Sequence, residues 1–107
     1  MSTFTENVWK KCSEIPKGKV TTYQELARAL RTNAHRAVGT ALGKNPYAPR
    51  VPCHRVVCSD GRIGNYSGRG GMNGKINLLR KEGIIVRKNK IELSKFLYRF
   101  KQERVHI

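Results

Sequence analysis

The stretch TYQELARALRTNAHRAVGTALG, residues 22–43, decides the fold of this 107-residue chain. Thr22 and a glutamate three residues later match an N-terminal capping box, which predicts a helix over residues 23–30. A polar break at residues 31–33 follows, and apolar positions then recur on one face of a second predicted helix, residues 34–43. Two short helices joined by a brief turn indicate a helix-turn-helix. From periodicity alone, an ordinary helical hairpin with a basic outer face stays open.

The segments on either side of this pair add short elements. In chain order they are a helix over residues 3–13, an extended link at 19–22, a strand-like segment at 56–58, a helix over 73–82, a hairpin that pairs 84–86 with 91–93, and a last helix over 94–103. The expected fold class is therefore mainly α with a small β element, a winged-helix-like helix-turn-helix DNA-binding domain.

The composition fixes the size of the unit and the sign of its partner. A chain of 107 residues is one domain. We expect it to span residues 1–107 with no separate N-terminal domain and with a basic C-terminal helical extension at about 94–107. Lys plus Arg total 22 against 7 for Asp plus Glu, so the formal net charge of +15 points to a polyanion. Whether the extension contacts phosphates or packs as a helix with a solvated face stays open.

The cysteines and the lack of a leader indicate the compartment. An odd number of cysteines, Cys12, Cys53 and Cys58, with no apolar leader argues against a secreted disulfide scaffold. No apolar run approaches the ~18–20 residues that span a bilayer, so no membrane partner is expected. We expect an intracellular monomer, in the cytoplasm or nucleoid, or in the nucleus of a eukaryote.

A cysteine followed directly by a histidine is the first candidate for chemistry. Proline-rich residues 45–52 form a stiff loop that leads into Cys53 and His54. The thiolate is the reactive form of cysteine, and an imidazole can take up the thiol proton. For such a pair in isolation, a buried cysteine beside an exposed histidine is the commoner arrangement, so the pair alone stays ambiguous.

Two other chemistries are weaker. A zinc site would combine Cys53, His54 and Cys58 with a remote Cys12, but a Cys-x-x-Cys pair is missing and two of these ligands are adjacent. The glycine-rich residues 64–74 lack the Gly-Lys-Ser/Thr ending of a phosphate-binding loop. We therefore predict no metal and no cofactor.

Several segments occur together in one order. They are RAVG (36–39), NP (45–46), PCHRVV (52–57), GNYSG (64–68) and LLRKEG (78–83). This series resembles the 6-O-alkylguanine-DNA alkyltransferases, collinearly over roughly residues 4–93. The resemblance implies direct reversal of DNA damage, in which a flipped 6-O-alkylguanine enters a pocket and a cysteine takes the alkyl group as a thioether. Each protein molecule would act once.

The resemblance also implies a catalytic relay. Cys53 would be the nucleophile and alkyl acceptor, and His54 would act as its base through a bridging water. Glu82 would orient and charge the imidazole, and Asn45 would fix the active-site turn. The relay is of the same kind as other activated-thiol systems.

Further residues would bind the base and the DNA. The resemblance places base contacts at Tyr23, Val56, Tyr66 and Ser67, and DNA contacts at Thr22, Tyr23, Arg36, Ala37 and Gly39. Arg36 would fill the stack that the flipped base vacates, and Tyr23 would help to rotate its phosphate. The small residues would let the helix press into the minor groove. Taken alone, Arg36 is equally a solvated cation and Tyr23 a half-buried core ring.

The chain departs from the family pattern at one loop. Arg69 stands where many relatives have a small residue, and the path to Glu82 is about two residues longer, which affects the lid of the pocket and its substrate range. Two other functions stay open. A non-catalytic alkyltransferase-like lesion-binding protein usually has tryptophan at the position of Cys53, and an architectural DNA-binding protein would have an inert cysteine.

Overall fold

The computed structural model describes residues 3–100, and most of its regular structure is helical. The helices are α1 Phe4–Cys12, α2 Tyr23–Ala29, α3 His35–Gly43, α4 Gly71–Lys81 and α5 Leu93–Phe96, with one 3-10 helix at Cys53–Arg55. The strands are β1 Thr21–Thr22, β2 Val56–Val57, β3 Val86–Arg87 and β4 Lys90–Ile91. The predicted class, mainly α with a small β element, is confirmed. Within residues 3–100, no helix has the length and apolar character needed to cross a membrane.

Side-chain caps start the first two helices where the sequence predicts them. At α1 the capping box is complete, because Thr3 Oγ1 accepts from Glu6 N at 3.1 Å and Glu6 Oε1 accepts from Thr3 N at 3.2 Å. At α2, Thr22 Oγ1 accepts from the amide of Glu25 at 3.0 Å. The Glu25 carboxylate accepts instead from Arg28 Nη1, at 3.2 Å. An N-cap of this kind stabilises a helix by about 1 kcal/mol.

The predicted helix-turn-helix is formed by α2 and α3, and α1 packs behind it. On α3 the residues Val38, Ala41 and Leu42 are buried in one core with α1 and α2. Trp9 of α1 donates its Nε1–H to the carbonyl of Ala41 at 2.8 Å. The opposite face of α3 therefore stays exposed.

A short parallel pairing brings the helix-turn-helix to the Cys-His segment. β1 pairs with β2 so that Thr21 lies opposite Val56 and Thr22 opposite Val57. Successive strand residues face opposite sides. Accordingly, Val56 packs in the core with α1–α3, and Val57 packs in a second core with α4 and the β3–β4 hairpin.

The predicted hairpin forms, with a tighter turn than expected. Val86 lies opposite Ile91 and Arg87 opposite Lys90, so only Lys88 and Asn89 turn the chain. Their φ angles are +50° and +60°, as in the left-handed two-residue turns that match the twist of paired strands.

The predicted last helix is wrong over its described part. α5 ends at Phe96, and Leu97 pairs with Val20 as a parallel bridge. Thr21 Oγ1 donates to the carbonyl of Tyr98 at 3.0 Å, which holds this segment extended. Pairing with the edge of β1 and burial of Phe100 outweigh the local helical pattern. Residues 101–107 of the basic extension lie outside the described residues.

Candidate active site

A cleft of about 800 Å³ lies between α2, α3, the 3-10 helix and the loop at residues 64–67. Its volume is in the range of small-molecule sites. The sequence-predicted residues on its lining are Tyr23, Arg36, Gly39, Cys53, Tyr66 and Ser67. The fold therefore collects residues from four separate segments at one cleft.

Cys53 opens the 3-10 helix and is held by Asn45. Its side chain is only 6% exposed. Asn45 Nδ2 lies 3.4 Å from Cys53 Sγ and donates to the Val51 carbonyl at 2.8 Å, while Asn45 Oδ1 accepts from Tyr47 N at 2.9 Å. One amide thus ties three points of the loop to the thiol, the geometry expected if Asn45 fixes the turn.

His54 is buried beside the cysteine, unlike the exposed histidine of the commoner arrangement. It is 1% exposed, and its Nε2 lies 3.0 Å from Glu82 Oε2. Burial lowers the pKa of His54, against an opposing effect of Glu82. A carboxylate only accepts, so Nε2 carries the proton that it donates. The buried Nδ1 has no hydrogen-bond partner within residues 3–100, which makes it the ring's proton acceptor.

Glu82, the C-cap of α4, is held on two sides. Arg55 donates from Nε to Oε1 at 2.9 Å and from Nη2 to Oε2 at 2.7 Å. Arg55 Nη1 also donates to the Ile15 carbonyl at 2.8 Å, so it links α4 to the segment after α1. Burial favours a higher pKa for Glu82, but hydrogen bonds from Arg55 and His54 prevail and lower it. His54 therefore faces an ionised carboxylate.

Sequence reasoning missed two residues of this site, Arg55 and Lys75. Arg55 has a signal only in its position directly after His54. Lys75 is 0% exposed, and its Nζ donates to the carbonyls of Val56 at 2.7 Å and Asn65 at 3.2 Å. Its signal is a lysine four residues before Leu79, on the apolar face of a helix.

The predicted base contacts lie around the thiol. Val56 is fully buried in β2, and the Tyr66 ring stands edge-on to His54 with centroids 6.4 Å apart. Ser67 lies exposed at the rim. Gly68 is required by close approach, since a Cβ there would overlap the Tyr66 ring.

The predicted DNA contacts divide into two groups. Arg36 and Ala37 are exposed on α3, and Gly39 lines the cleft beside them. Tyr23 lies in the cleft wall, where burial raises its pKa to about 12 and keeps the phenol a hydrogen-bond donor. Thr22 differs from expectation, because it is 4% exposed and its hydroxyl caps α2. Its side chain is therefore not presented to DNA.

The three cysteines are free thiols. Cys12 and Cys53 are buried in the core with α1–α3, and Cys58 is half-buried on the cleft wall. Within residues 3–100, no three His, Cys, Asp or Glu side chains are arranged to hold a metal ion. The alternative zinc set is thus not assembled there.

Known proteins share this sequence and architecture. The model of the family "6-O-methylguanine DNA methyltransferase, DNA binding domain" matches residues 3–84. A human methylated-DNA–protein-cysteine methyltransferase is 51% identical over 83 residues, which are 75% of this chain and 39% of that protein. The chain spans less than half the length of the curated methyltransferases that it matches first.

Two solved structures with DNA share the fold. Mycobacterium tuberculosis OGT in complex with DNA has a TM-score of 0.71 and 42% identity, covering 77% of this chain and 50% of that one. S. pombe Atl1 in complex with damaged DNA containing O6-carboxymethylguanine has a TM-score of 0.80 and 30% identity, covering 92% of this chain and 99% of that one. The chain belongs to the 6-O-methylguanine DNA methyltransferase family and carries its DNA-binding domain.

Proposed function

We propose that the protein repairs DNA directly, by moving a methyl or other alkyl group from 6-O-alkylguanine in double-stranded DNA to Cys53. One observation carries the proposal: Cys53 faces a cleft beside a buried His54 whose Nε2 is held by Glu82. The curated relatives are named methyltransferases of methylated DNA with a protein cysteine as acceptor. The site has the parts of an activated thiol, a nucleophile, a base and a group that orients the base.

The reaction balances with groups of this chain. His54 Nδ1 takes the thiol proton through a bridging water, and Glu82 stabilises the imidazolium. The Cys53 Sγ electron pair forms the bond to the alkyl carbon as the bond from that carbon to guanine O6 breaks. Guanine keeps that electron pair and takes up the proton released from His54. The thioether has no route back to a thiol, so each molecule acts once.

The exposed face of α3 is the proposed DNA contact. The net charge of +15 supplies attraction to phosphates that is independent of sequence. Ala37 and Gly39 leave room for close approach to the minor groove, beside the cleft that would receive the flipped base. Flipping costs a few kcal/mol, least at a damaged pair. A planar guanidinium at Arg36 offsets part of the lost stacking.

Replacing Arg36 with alanine is expected to weaken both DNA binding and alkyl transfer, each about tenfold, since a stacked cation contributes about 1–2 kcal/mol. Arg36→Lys is the matched control, because it keeps the charge and loses the plane. The lysine variant should recover binding to undamaged DNA but not the transfer rate. Fluorescence anisotropy and single-turnover kinetics measure the two; wild-type transfer by Arg36→Ala would refute the stacking role.

Alkylation of Cys53 is expected to destabilise the fold. The thiol is buried against Asn45, and packed sites tolerate an added methyl group at a cost of about 1–3 kcal/mol. For a domain of this size, each kcal/mol lowers the melting temperature by about 4–8 °C. Melting curves before and after complete methylation measure the effect. Coincident curves would count against it.

Titration tests the single-turnover mechanism. Increasing amounts of duplex DNA with one labelled 6-O-methylguanine are added to a fixed amount of protein, and the label that leaves the DNA is counted. Transfer should stop at one methyl group per chain, whatever the excess of DNA. Continued turnover would exclude Cys53 as a permanent acceptor.

The second candidate is a lesion-binding protein that transfers nothing. The favouring observation is Atl1, a solved structure with damaged DNA that this chain covers almost completely. Cys53 favours the transferase, because the alkyltransferase-like proteins that this chain resembles usually have tryptophan there. Tight, lesion-selective binding with no label lost from the DNA would establish the second candidate.

We also propose a monomer in the cell interior, where its thiols stay reduced. The transfer itself needs a free Cys53. Light scattering that gives a mass of 12.2 kDa supports the monomer, and twice that mass contradicts it.

A further inference from the structure

Lys75 is a buried positive charge that the proposed reaction does not use. An ammonium removed from water is costly unless it is paired and hydrogen-bonded. Within residues 3–100 the ion pairs do not include Lys75, and its Nζ contacts two backbone carbonyls, those of Val56 and Asn65. Carbonyl dipoles satisfy the donors but leave the charge without an anion.

The groups that act on this charge are the active-site thiols and the imidazole. Burial lowers the pKa of Lys75 to about 8, against the opposing effect of Cys58, Cys53 and Cys12. These cysteines come from α1, the 3-10 helix and the segment after β2. Lys75 in turn lowers the pKa of His54. The anion that can form nearest the reaction is the Cys53 thiolate.

The two carbonyls that Lys75 holds lie on separate walls of the site. Val56 begins β2, directly after the 3-10 helix that carries Cys53. Asn65 lies on the cleft lining, just before Tyr66 and Ser67. A single ammonium therefore joins the wall that carries the nucleophile to the loop proposed to hold the base.

We propose that Lys75 is a positioning residue for the alkyl transfer, whose ammonium stabilises the Cys53 thiolate while it fixes both walls of the cleft. The part that concerns transfer rests on the proposed function. The effect on the thiol does not, because it also governs reaction with a small reagent that needs no DNA.

The test is alkylation of Cys53 by iodoacetamide at pH 7, located by peptide mapping to separate it from Cys58. Lys75→Met removes the charge and the donors at similar volume, and Lys75→Gln removes the charge but keeps an amide donor. Both variants should react at least about tenfold more slowly, since an opposite charge nearby shifts a pKa by one to three units. Lys81→Met, an exposed lysine of the same helix, should react like wild type.

Wild-type reactivity in both variants, at unchanged melting temperature, would overturn the proposal. Wild-type reactivity in Lys75→Gln alone would also overturn it, because the hydrogen bonds would then suffice without the charge. If one variant does not fold, the other decides.

A measurement on the wild-type protein covers the case in which neither variant folds. The Lys75 ammonium, followed by NMR of labelled lysine, should lose its proton at a pH about one unit lower once Cys53 is capped by iodoacetamide. An unchanged midpoint overturns the proposal. Methyl transfer from 6-O-methylguanine DNA is measured separately, so a protein that transfers nothing but shows the Lys75 effect refutes only the proposed function.

Discussion

Replacing Cys53 with alanine is expected to abolish methyl transfer completely and to leave lesion binding within about threefold of wild type, a change of less than 1 kcal/mol. The proposed reaction forms its new bond at Sγ, and no other atom of the cleft replaces that electron pair in the relay. Binding depends on the charge of the protein and on α3, which the substitution does not touch. Single-turnover transfer and anisotropy with one duplex substrate measure the two effects.

Cys58→Ala is the matched control for this prediction. Cys58 is also a free thiol on the cleft wall, and it is more exposed than Cys53. It lacks contact with the Asn45 amide and with a buried base, so its loss should leave transfer intact. Transfer by Cys53→Ala at the wild-type level would remove the nucleophile assignment.

Glu82→Gln is expected to slow transfer by about 10²–10⁴, the usual contribution of a positioned general base. The neutral amide no longer stabilises the imidazolium of His54, and its NH2 group faces a donor from Arg55 or His54. The same change should lower the free energy of unfolding by about 2 kcal/mol, because hydrogen bonds to a charged group are lost. Single-turnover kinetics and urea unfolding measure these effects.

The same carboxylate gives a pH dependence with a defined sign. The pKa of Glu82 and the pKa of His54 both lie below their ordinary values of 4.5 and 6.5 in the fold. The unfolded chain then binds protons more readily, so stability is complete at neutral pH and falls as pH drops. The fall due to His54 starts near pH 6.5, and that due to Glu82 starts near pH 4.5. Glu82→Gln should flatten the second part.

Glu92→Gln is the control for Glu82. Glu92 pairs with Lys95 at 3.7 Å, and both side chains are largely exposed. Such surface pairs contribute 0–1 kcal/mol. Equal effects of the two substitutions on transfer would show that Glu82 does not act through His54.

The sequence predicts the fold where local signals decide the structure. Thr3 and Thr22 start α1 and α2 because a side-chain cap needs only neighbouring residues. The last helix failed at Leu97, where pairing with Val20 depends on a segment 77 positions earlier in the chain. Tertiary pairing of that kind leaves no periodic trace.

The site divides in the same way. The Cys53-His54 pair and the ordered motifs predict the cleft, and the structure brings Asn45 and Glu82 to that pair. Arg55 and Lys75 were missed because their partners are distant in sequence, Glu82 for the first and the Val56 carbonyl for the second. The burial of a lysine among thiols is visible only once α4 is packed.

The most direct test of the central claim is the intact mass of the protein after incubation with duplex DNA that carries one 6-O-methylguanine. The account predicts a gain of one methyl group, located on Cys53 by peptide mapping and absent in Cys53→Ala. An unchanged mass despite complete mixing with the lesion, or a methyl group on another residue, would contradict it.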